Sequence, residues 1–192
     1  PNNFGPSRSA YTIGIRLKNI KTNTESTITG LPNGIKAGNF TWSPNDEKIA
    51  FTNTNNSSID LYLIDVKQKK ATKINKLPVN TVMGGAFEWY DNNSILYLAA
   101  PKPSSEAPKK LLAPKGPTVQ QNLGKVAASV TYQDLIKSPY DEQLFEFYAT
   151  SQLIKNTNGA EIKVGAPLIY SSFELSPDNK YMLVEKNDKP FS

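Results

Sequence analysis

One turn-and-strand phrase occurs three times in this chain, and its spacing limits the available folds more than any other feature. The first copy is Phe40-Thr41-Trp42-Ser43-Pro44-Asn45-Asp46-Glu47-Lys48-Ile49-Ala50-Phe51. The second is Phe87-Glu88-Trp89-Tyr90-Asp91-Asn92-Asn93-Ser94-Ile95-Leu96-Tyr97, and the third is Phe173-Glu174-Leu175-Ser176-Pro177-Asp178-Asn179-Lys180-Tyr181-Met182-Leu183-Val184. Each reads as an alternating strand, a tight turn and a second apolar strand. Pro44 and Pro177 preset φ at the first central turn position, and Asn45 or Asp178 follows, as a type I turn prefers. The leading phenylalanines lie 47 and then 86 residues apart, so the second interval holds one repeat plus 39 further residues.

A second segment repeats at nearly the same period. Ile13-Gly14-Ile15-Arg16-Leu17 through Leu31-Pro32 aligns without a gap on Ile59-Asp60-Leu61-Tyr62-Leu63 through Leu77-Pro78, at an offset of 46. Ile13/Ile59, Leu17/Leu63, Lys21/Lys67, Ile28/Ile74, Leu31/Leu77 and Pro32/Pro78 are identical pairs. Paired strands at this period point to four-stranded antiparallel propeller blades. The expected fold is all-β, a partial β-propeller. It comprises a half-blade over 10–32, a blade over 36–78, a blade over 83–165 with an insertion at 101–142, and the start of a further blade over 167–192. Half-blades at both ends cannot close a ring, so the chain is expected to be part of a larger protein. It opens Pro-Asn-Asn without Met, which suggests processing or trimming.

The strands follow from alternation. Tyr11, Ile13, Ile15 and Leu17 predict one strand with a buried face, and Ser26 to Leu31 a short outer strand after a polar turn. The second unit predicts strands at Asn39–Trp42, Lys48–Thr52, Asp60–Asp65 and Ala71–Asn75. The third predicts Phe87–Trp89, Ile95–Ala99, Ala149–Ile154 and Glu161–Val164. Leu168–Leu175 and Lys180–Glu185 open the fourth. Inside the insertion, Pro101, Pro103, Pro108, Pro114 and Pro117 imply an extended arm. Two helix starts follow, Thr131-Tyr132-Gln133-Asp134 and Ser138-Pro139-Tyr140-Asp141, each with a hydroxyl three residues before a carboxylate. Tyr132, Leu135 and Ile136 would form one apolar face, and Tyr140, Leu144 and Phe145 another.

Composition removes several kinds of chemistry. The chain has no cysteine and no histidine, so Ser-His-Asp and Cys-His nucleophilic systems and histidine metal sites cannot be assembled from it. The net charge of +5 comes from lysines scattered over turns and strand edges, without an aromatic-and-basic platform; no nucleic-acid partner is expected. No run of 18 apolar residues spans a membrane.

Several residues invite a functional reading, and each has a plainer one. The carboxylate pairs Asp46/Glu47, Asp141/Glu142 and Glu174/Asp178 are expected to form turns and solvated faces. Trp42, Trp89 and the matching Leu175 are expected to pack between neighbouring blades rather than to form an aromatic ligand surface. Gly84 and Gly85 allow backbones to approach closely; no Gly-Lys-Ser/Thr follows, so they are not a phosphate loop. The insertion is either a cover for an open blade edge or a functional device on one face. No catalytic, cofactor-binding or metal-binding residue is assigned, and no cofactor is expected.

The phrase Trp42-Ser43-Pro44-Asn45-Asp46-Glu47-Lys48-Ile49-Ala50-Phe51 is similar to the propeller repeat of TolB-like proteins and of the prolyl oligopeptidase family. A more specific series is Gly116-Pro117-Thr118-Val119-Gln120-Gln121-Asn122-Leu123-Gly124-Lys125, Thr131-Tyr132-Gln133-Asp134-Leu135 and Tyr148-Ala149-Thr150-Ser151-Gln152-Leu153. With Tyr170-Ser171-Ser172-Phe173 and Lys189-Pro190-Phe191-Ser192, it resembles the N-terminal propeller of glutamyl endopeptidase-like serine peptidases of that family. The departures are Gln121, where an acidic residue is expected, and Tyr90-Asp91 in place of Ser-Pro. The resemblance implies a propeller that caps a C-terminal α/β-hydrolase domain, with the Ser, Asp and His triad in that domain. Its implied partners are that hydrolase domain of the same parent chain and peptide substrates. It also suggests an exported or periplasmic setting. Nothing like Gly-x-Ser-x-Gly occurs here, so no catalytic residue carries over. The alternative is a stand-alone TolB-like protein-interaction propeller.

Overall fold

The computed structural model describes residues 5, 10–101, 106–109, 136 and 138–191. Among these residues the strands form four antiparallel sheets in chain order. The first pairs β1 (Arg16–Asn19) with β2 (Thr24–Thr27). The second is a four-stranded meander of β3 (Ala37–Trp42), β4 (Lys48–Thr54), β5 (Ile59–Asp65) and β6 (Lys70–Lys73). The third repeats that order with β7 (Phe87–Trp89), β8 (Ser94–Ala99), β9 (Ser151–Thr157) and β10 (Ala160–Leu168). The fourth pairs β11 (Tyr170–Leu175) with β12 (Met182–Lys186). Helix α1 (Pro139–Ala149) stands between β8 and β9.

The repeated turns form as their residues require. In the first copy the Asp46 N–H donates to Ser43 O at 2.9 Å, and the Ser43 hydroxyl accepts the Lys48 N–H at 2.9 Å. The third copy repeats both bonds, Asn179 N–H to Ser176 O at 2.8 Å and Tyr181 N–H to Ser176 Oγ at 3.0 Å. Asp46 and Asn179 close these turns with φ of 60° and 55°, a left-handed conformation that Asp and Asn tolerate.

Strand register decides what each face buries, because partners across a ladder point to the same side. Trp42 pairs with Ile49, Ile49 with Ile64, and Phe51 with Tyr62. That face of the second sheet meets the first sheet through Ile28, Ile49, Phe51 and Ile64, with Leu17 against them. Phe40 extends it, its ring stacked on Phe51 at 5.5 Å. The opposite face presents Ala50, Leu61 and Leu63 to Ile95, Tyr97, Ile154, Phe87 and Trp89 of the third sheet. Leu96, Leu98 and Leu153 on the far side of that sheet meet Phe173, Leu175 and Val184. Sheets stacked face to face in chain order, each an antiparallel meander, make an all-β partial β-propeller. Phe51, Leu61, Tyr97 and Leu153 have no exposed area, and truncating such side chains costs about 2–5 kcal/mol each.

Three expectations are corrected. The strand predicted from Tyr11 begins only at Arg16, and Ile13 is 83% exposed. Ile13's repeat partner Ile59 is buried because β4 pairs beside it, whereas among the described residues β1 is held by β2 alone. Thr12 instead exchanges two 2.9 Å backbone bonds with Ala37 of the second sheet. The outer strand predicted over Ser26 to Leu31 runs over Thr24–Thr27. It must stop there because Thr29 bridges β6, and a Cβ on Gly30 would collide with the Ala71 carbonyl oxygen.

The third correction concerns Trp42, which is 53% exposed. Trp89 is half-buried, as expected of an inter-blade residue. The difference lies in what precedes each of them. Trp89 faces a four-stranded sheet, while the sheet before Trp42 has two strands among the described residues. The covering stops at Phe51 and Ile64, and Phe40 and Trp42 on β3 lie beyond it.

The helix predicted at Ser138-Pro139 is present and runs to Ala149, so the interruption of the third sheet lasts until Ser151. The other predicted helix start, the Tyr132 and Leu135 part of its apolar face, and the Gly116–Lys125 phrase lie outside the described residues.

Candidate functional site

Three segments meet at the end of the sheets where β7 and β11 begin and β8 breaks off. The first, residues 78–86, leads from the second sheet into the third. Its anchor is Asn80, 2% exposed, whose Nδ2 donates to the carbonyls of Tyr148 at 2.8 Å and Thr150 at 3.2 Å. Its Oδ1 accepts the Val82 N–H at 3.1 Å. Those carbonyls belong to the end of α1, where no intrahelical donor remains, and a primary amide offers both donors and an acceptor.

The second segment is α1 itself. The Ser138 hydroxyl accepts the Asp141 N–H at 3.3 Å and donates to Asp141 Oδ2 at 2.8 Å. Pro139 takes the first turn, where its missing N–H is no loss. The third segment follows β12. Lys189 Nζ pairs with Glu146 at 3.0 Å, and the Phe191 ring lies edge-on to Phe145 at 4.9 Å. The ion pair is half-exposed and contributes under about 1 kcal/mol, so the aromatic contact is the firmer tie. Gln152 completes the frame by donating to Val164 and Gly165 carbonyls, both at 3.2 Å, where β10 bulges away from β9.

A cleft of about 200 Å³ opens at this end, between β7 and β11, with Gly84, Gly85, Leu98 and Phe173 in its lining. Gly84 has φ of +113°, which a side chain would strain, and neither glycine has a neighbour where a Cβ would stand. Glu88 also lines the cleft. Its Oε2 is buried and accepts no hydrogen bond among the described residues, while the Leu175 N–H bonds to the same carboxyl group. Burial raises the Glu88 pKa above its ordinary value, the Leu175 N–H opposes this, and the Glu174 charge adds to it. Glu88 was not singled out from the sequence. The available signal was an acidic residue between Phe87 and Trp89 in a strand covered on both faces.

The residues singled out from the sequence do not gather here. Asp46 and Glu47 stay in their exposed turn, where Glu47 accepts from Asn45 Nδ2 at 2.7 Å. Asp141 and Glu142 occupy the first turn of α1. Asp178 accepts from the Ser176 hydroxyl at 2.7 Å, and that bond with the Lys180 N–H holds its carboxyl below the ordinary value. Glu174 is exposed on β11, near Glu88 but not paired with Asp178. Trp89 Nε1 is buried without an acceptor among the described residues. Gly84 and Gly85 do border the cleft.

Three of the segments that carry the family resemblance, Tyr148–Leu153, Tyr170–Phe173 and Lys189–Phe191, lie around this end, whereas Trp42–Phe51 does not. Comparison with known proteins supports the resemblance itself. A protein from Arabidopsis thaliana, "Probable glutamyl endopeptidase, chloroplastic", is 34% identical over 200 residues, covering 97% of this chain and 21% of that protein. The resemblance is to glutamyl endopeptidases. A protein of the same name from Oryza sativa subsp. japonica is 29% identical over 201 residues, with 97% and 21% covered. The chain thus spans about a fifth of the length of these relatives of the glutamyl endopeptidase type. No protein-family model matches it. TolB from Acinetobacter baumannii aligns over 93% of this chain and 33% of its own, with 14% identity and a TM-score of 0.46. Pyrococcus horikoshii acylaminoacyl peptidase aligns over 81% and 28%, with 14% identity and a TM-score of 0.34. At those scores the fold rests on the strand pairing described above. No helix among the described residues is long and apolar enough to cross a membrane.

Proposed function

We propose that this chain is a non-catalytic propeller segment of a serine peptidase, and that it orients or gates peptides for an α/β-hydrolase domain carried elsewhere in the same polypeptide. The observation that carries the reading is the 34% identity to a probable glutamyl endopeptidase across 97% of a chain that contains no histidine. Such a chain has no imidazole base for a serine nucleophile, so the acyl-transfer chemistry belongs to another domain. Residues 10–32, 36–78, 83–165 and 167–192 act as successive units of one propeller domain. The insertion leaves β8 and returns through α1 beside the cleft, which suits a device that meets the catalytic domain or the incoming peptide at that end.

The test uses the full-length polypeptide, intact and with residues 102–137 replaced by a short Gly-Ser linker that spares α1. The intact protein should hydrolyse glutamyl peptides and be blocked by a serine-directed reagent. The linker variant should lose much of that activity while its propeller unfolds at an unchanged denaturant midpoint. No hydrolysis by the intact protein would refute the peptidase reading, and equal activity in both would refute the gating role.

A further inference from the structure

We propose that Asn33 is a site of self-modification, where the Asn33-Gly34 link closes to a cyclic imide and releases ammonia, while the fold holds the same dipeptide at Asn158-Gly159 unreactive. The inference goes beyond the peptide-handling reading and does not depend on it. The chain has these two Asn-Gly pairs, and both asparagines are exposed, so access does not tell them apart. Hydrogen bonding does. Asn158 and Gly159 have φ of 50° and 90°, the left-handed pair of a tight hairpin turn between β9 and β10. The Gly159 N–H donates to Oδ1 of buried Asn156 at 2.9 Å, and the Asn158 N–H to Asn93 O at 3.2 Å. Asn33 and Gly34 lie in the link from β2 to β3, where the Gly34 N–H and the Asn33 side chain make no hydrogen bond among the described residues. Nothing stands where a Cβ on Gly34 would be, so the reacting atoms have room to turn.

The step needs water and no other reagent. The Gly34 nitrogen loses its proton to hydroxide and attacks Asn33 Cγ. The N–Cγ bond forms as the Cγ–Nδ2 bond breaks, and the amide nitrogen leaves as ammonia with a proton from solvent. Glycine favours the closure because no side chain crowds the ring or limits the backbone. Water then opens the imide. Opening at Cγ leaves aspartate, whereas opening at the Asn33 main-chain carbonyl leaves isoaspartate, whose backbone runs through Cβ and Cγ. At Gly159 the nitrogen's proton is committed to Asn156, so the same attack requires the hairpin turn to open first. The consequence falls on the seam between the first two sheets. Leu31 and Ile35, on either side of the reacting pair, pack in the same core cluster, and isoaspartate lengthens the link between them by a methylene while adding a negative charge.

The experiment incubates the folded chain in mildly alkaline buffer and follows both sites by peptide mapping, with fragmentation that separates aspartate from isoaspartate. A sample unfolded in guanidinium chloride gives the rate of each dipeptide without structure. In the folded chain Asn33 should convert at close to its unfolded rate, with isoaspartate among the products. Asn158 should convert at least about tenfold more slowly than Asn33 when folded, and at a similar rate once unfolded. Asn33→Gln, whose longer side chain closes the ring far less readily, should leave its peptide unchanged. The proposal is wrong if Asn33 stays an amide in the folded chain while the unfolded chain converts. It is also wrong if the two sites react equally fast when folded, or if Asn33 yields aspartate without isoaspartate. These outcomes concern the two asparagines alone, so they stand apart from whether the full-length protein is a peptidase.

Discussion

The Tyr97 hydroxyl, in a side chain with no exposed area between the second and third sheets, donates to Glu161 Oε1 at 2.8 Å. The same oxygen accepts the Lys76 N–H at 2.8 Å and Asn156 Nδ2 at 3.3 Å, so one carboxylate ties β10 to β8, β9 and the end of the second sheet. Tyr97→Phe should destabilise the chain by about 1.5–3 kcal/mol, the range for a hydrogen bond to a charged group, as measured by urea unfolding. Burial, with the Glu161 hydrogen bond, pushes the Tyr97 phenol far above its ordinary value. The folded state therefore keeps a proton that the unfolded chain releases near pH 10, and stability should fall as the pH rises above about 10.

Glu88 titrates with a raised folded pKa, so its contribution to stability is fully present below the unfolded pKa and is lost as the pH rises through the folded one. Glu88→Gln should flatten the pH dependence of the unfolding midpoint between pH 4 and neutrality, and should be relatively more stable at neutral pH. An unchanged slope would show that Glu88 is solvated.

The two tryptophans should respond differently. Trp89→Ala should cost about 3 kcal/mol, and Trp42→Ala under about 1 kcal/mol, because only the former leaves a cavity between full sheets. Iodide quenching checks the same point without truncation: fluorescence from the Trp89→Phe variant, which retains Trp42, should be quenched more than that from Trp42→Phe.

Gly30 has φ of 75°, and its missing Cβ makes room for the Ala71 carbonyl where the first sheet crosses to the second. Gly30→Ala should combine backbone strain with a clash and cost about 2 kcal/mol or more. A thermal shift within error of the parent would show that the crossing can relax.

Local sequence carried most of the fold. The Ser43-Pro44 and Ser176-Pro177 turns, the bulk of each strand of the second sheet and the Ser138-Pro139 helix start are short-range features, and alternation or capping reveals them. The exposure of Ile13 and Trp42 was not legible, because a residue's burial depends on strands that another segment must bring. Tyr97 and Glu161 are 64 residues apart, and no pattern at either position announces the bond between them. Glu88 escaped notice for a related reason. Its environment is made by β11, whose Leu175 N–H reaches it from 87 residues further along the chain.

The long detour between Ala99 and Ser151 bears on the order in which the molecule assembles. Strands β4 and β5 are joined by four residues, whereas 51 separate β8 from β9. Loop-closure entropy makes the second pairing less favourable by about 2 kcal/mol, before any contact within the detour offsets it. The second sheet and the β7–β8 hairpin can therefore form early, while β8 waits with one edge unpaired. Every residue of β8 is buried in the finished structure, so during that interval it offers both apolar faces and a free edge to other chains. Aggregation on refolding should be governed by how fast β9 arrives.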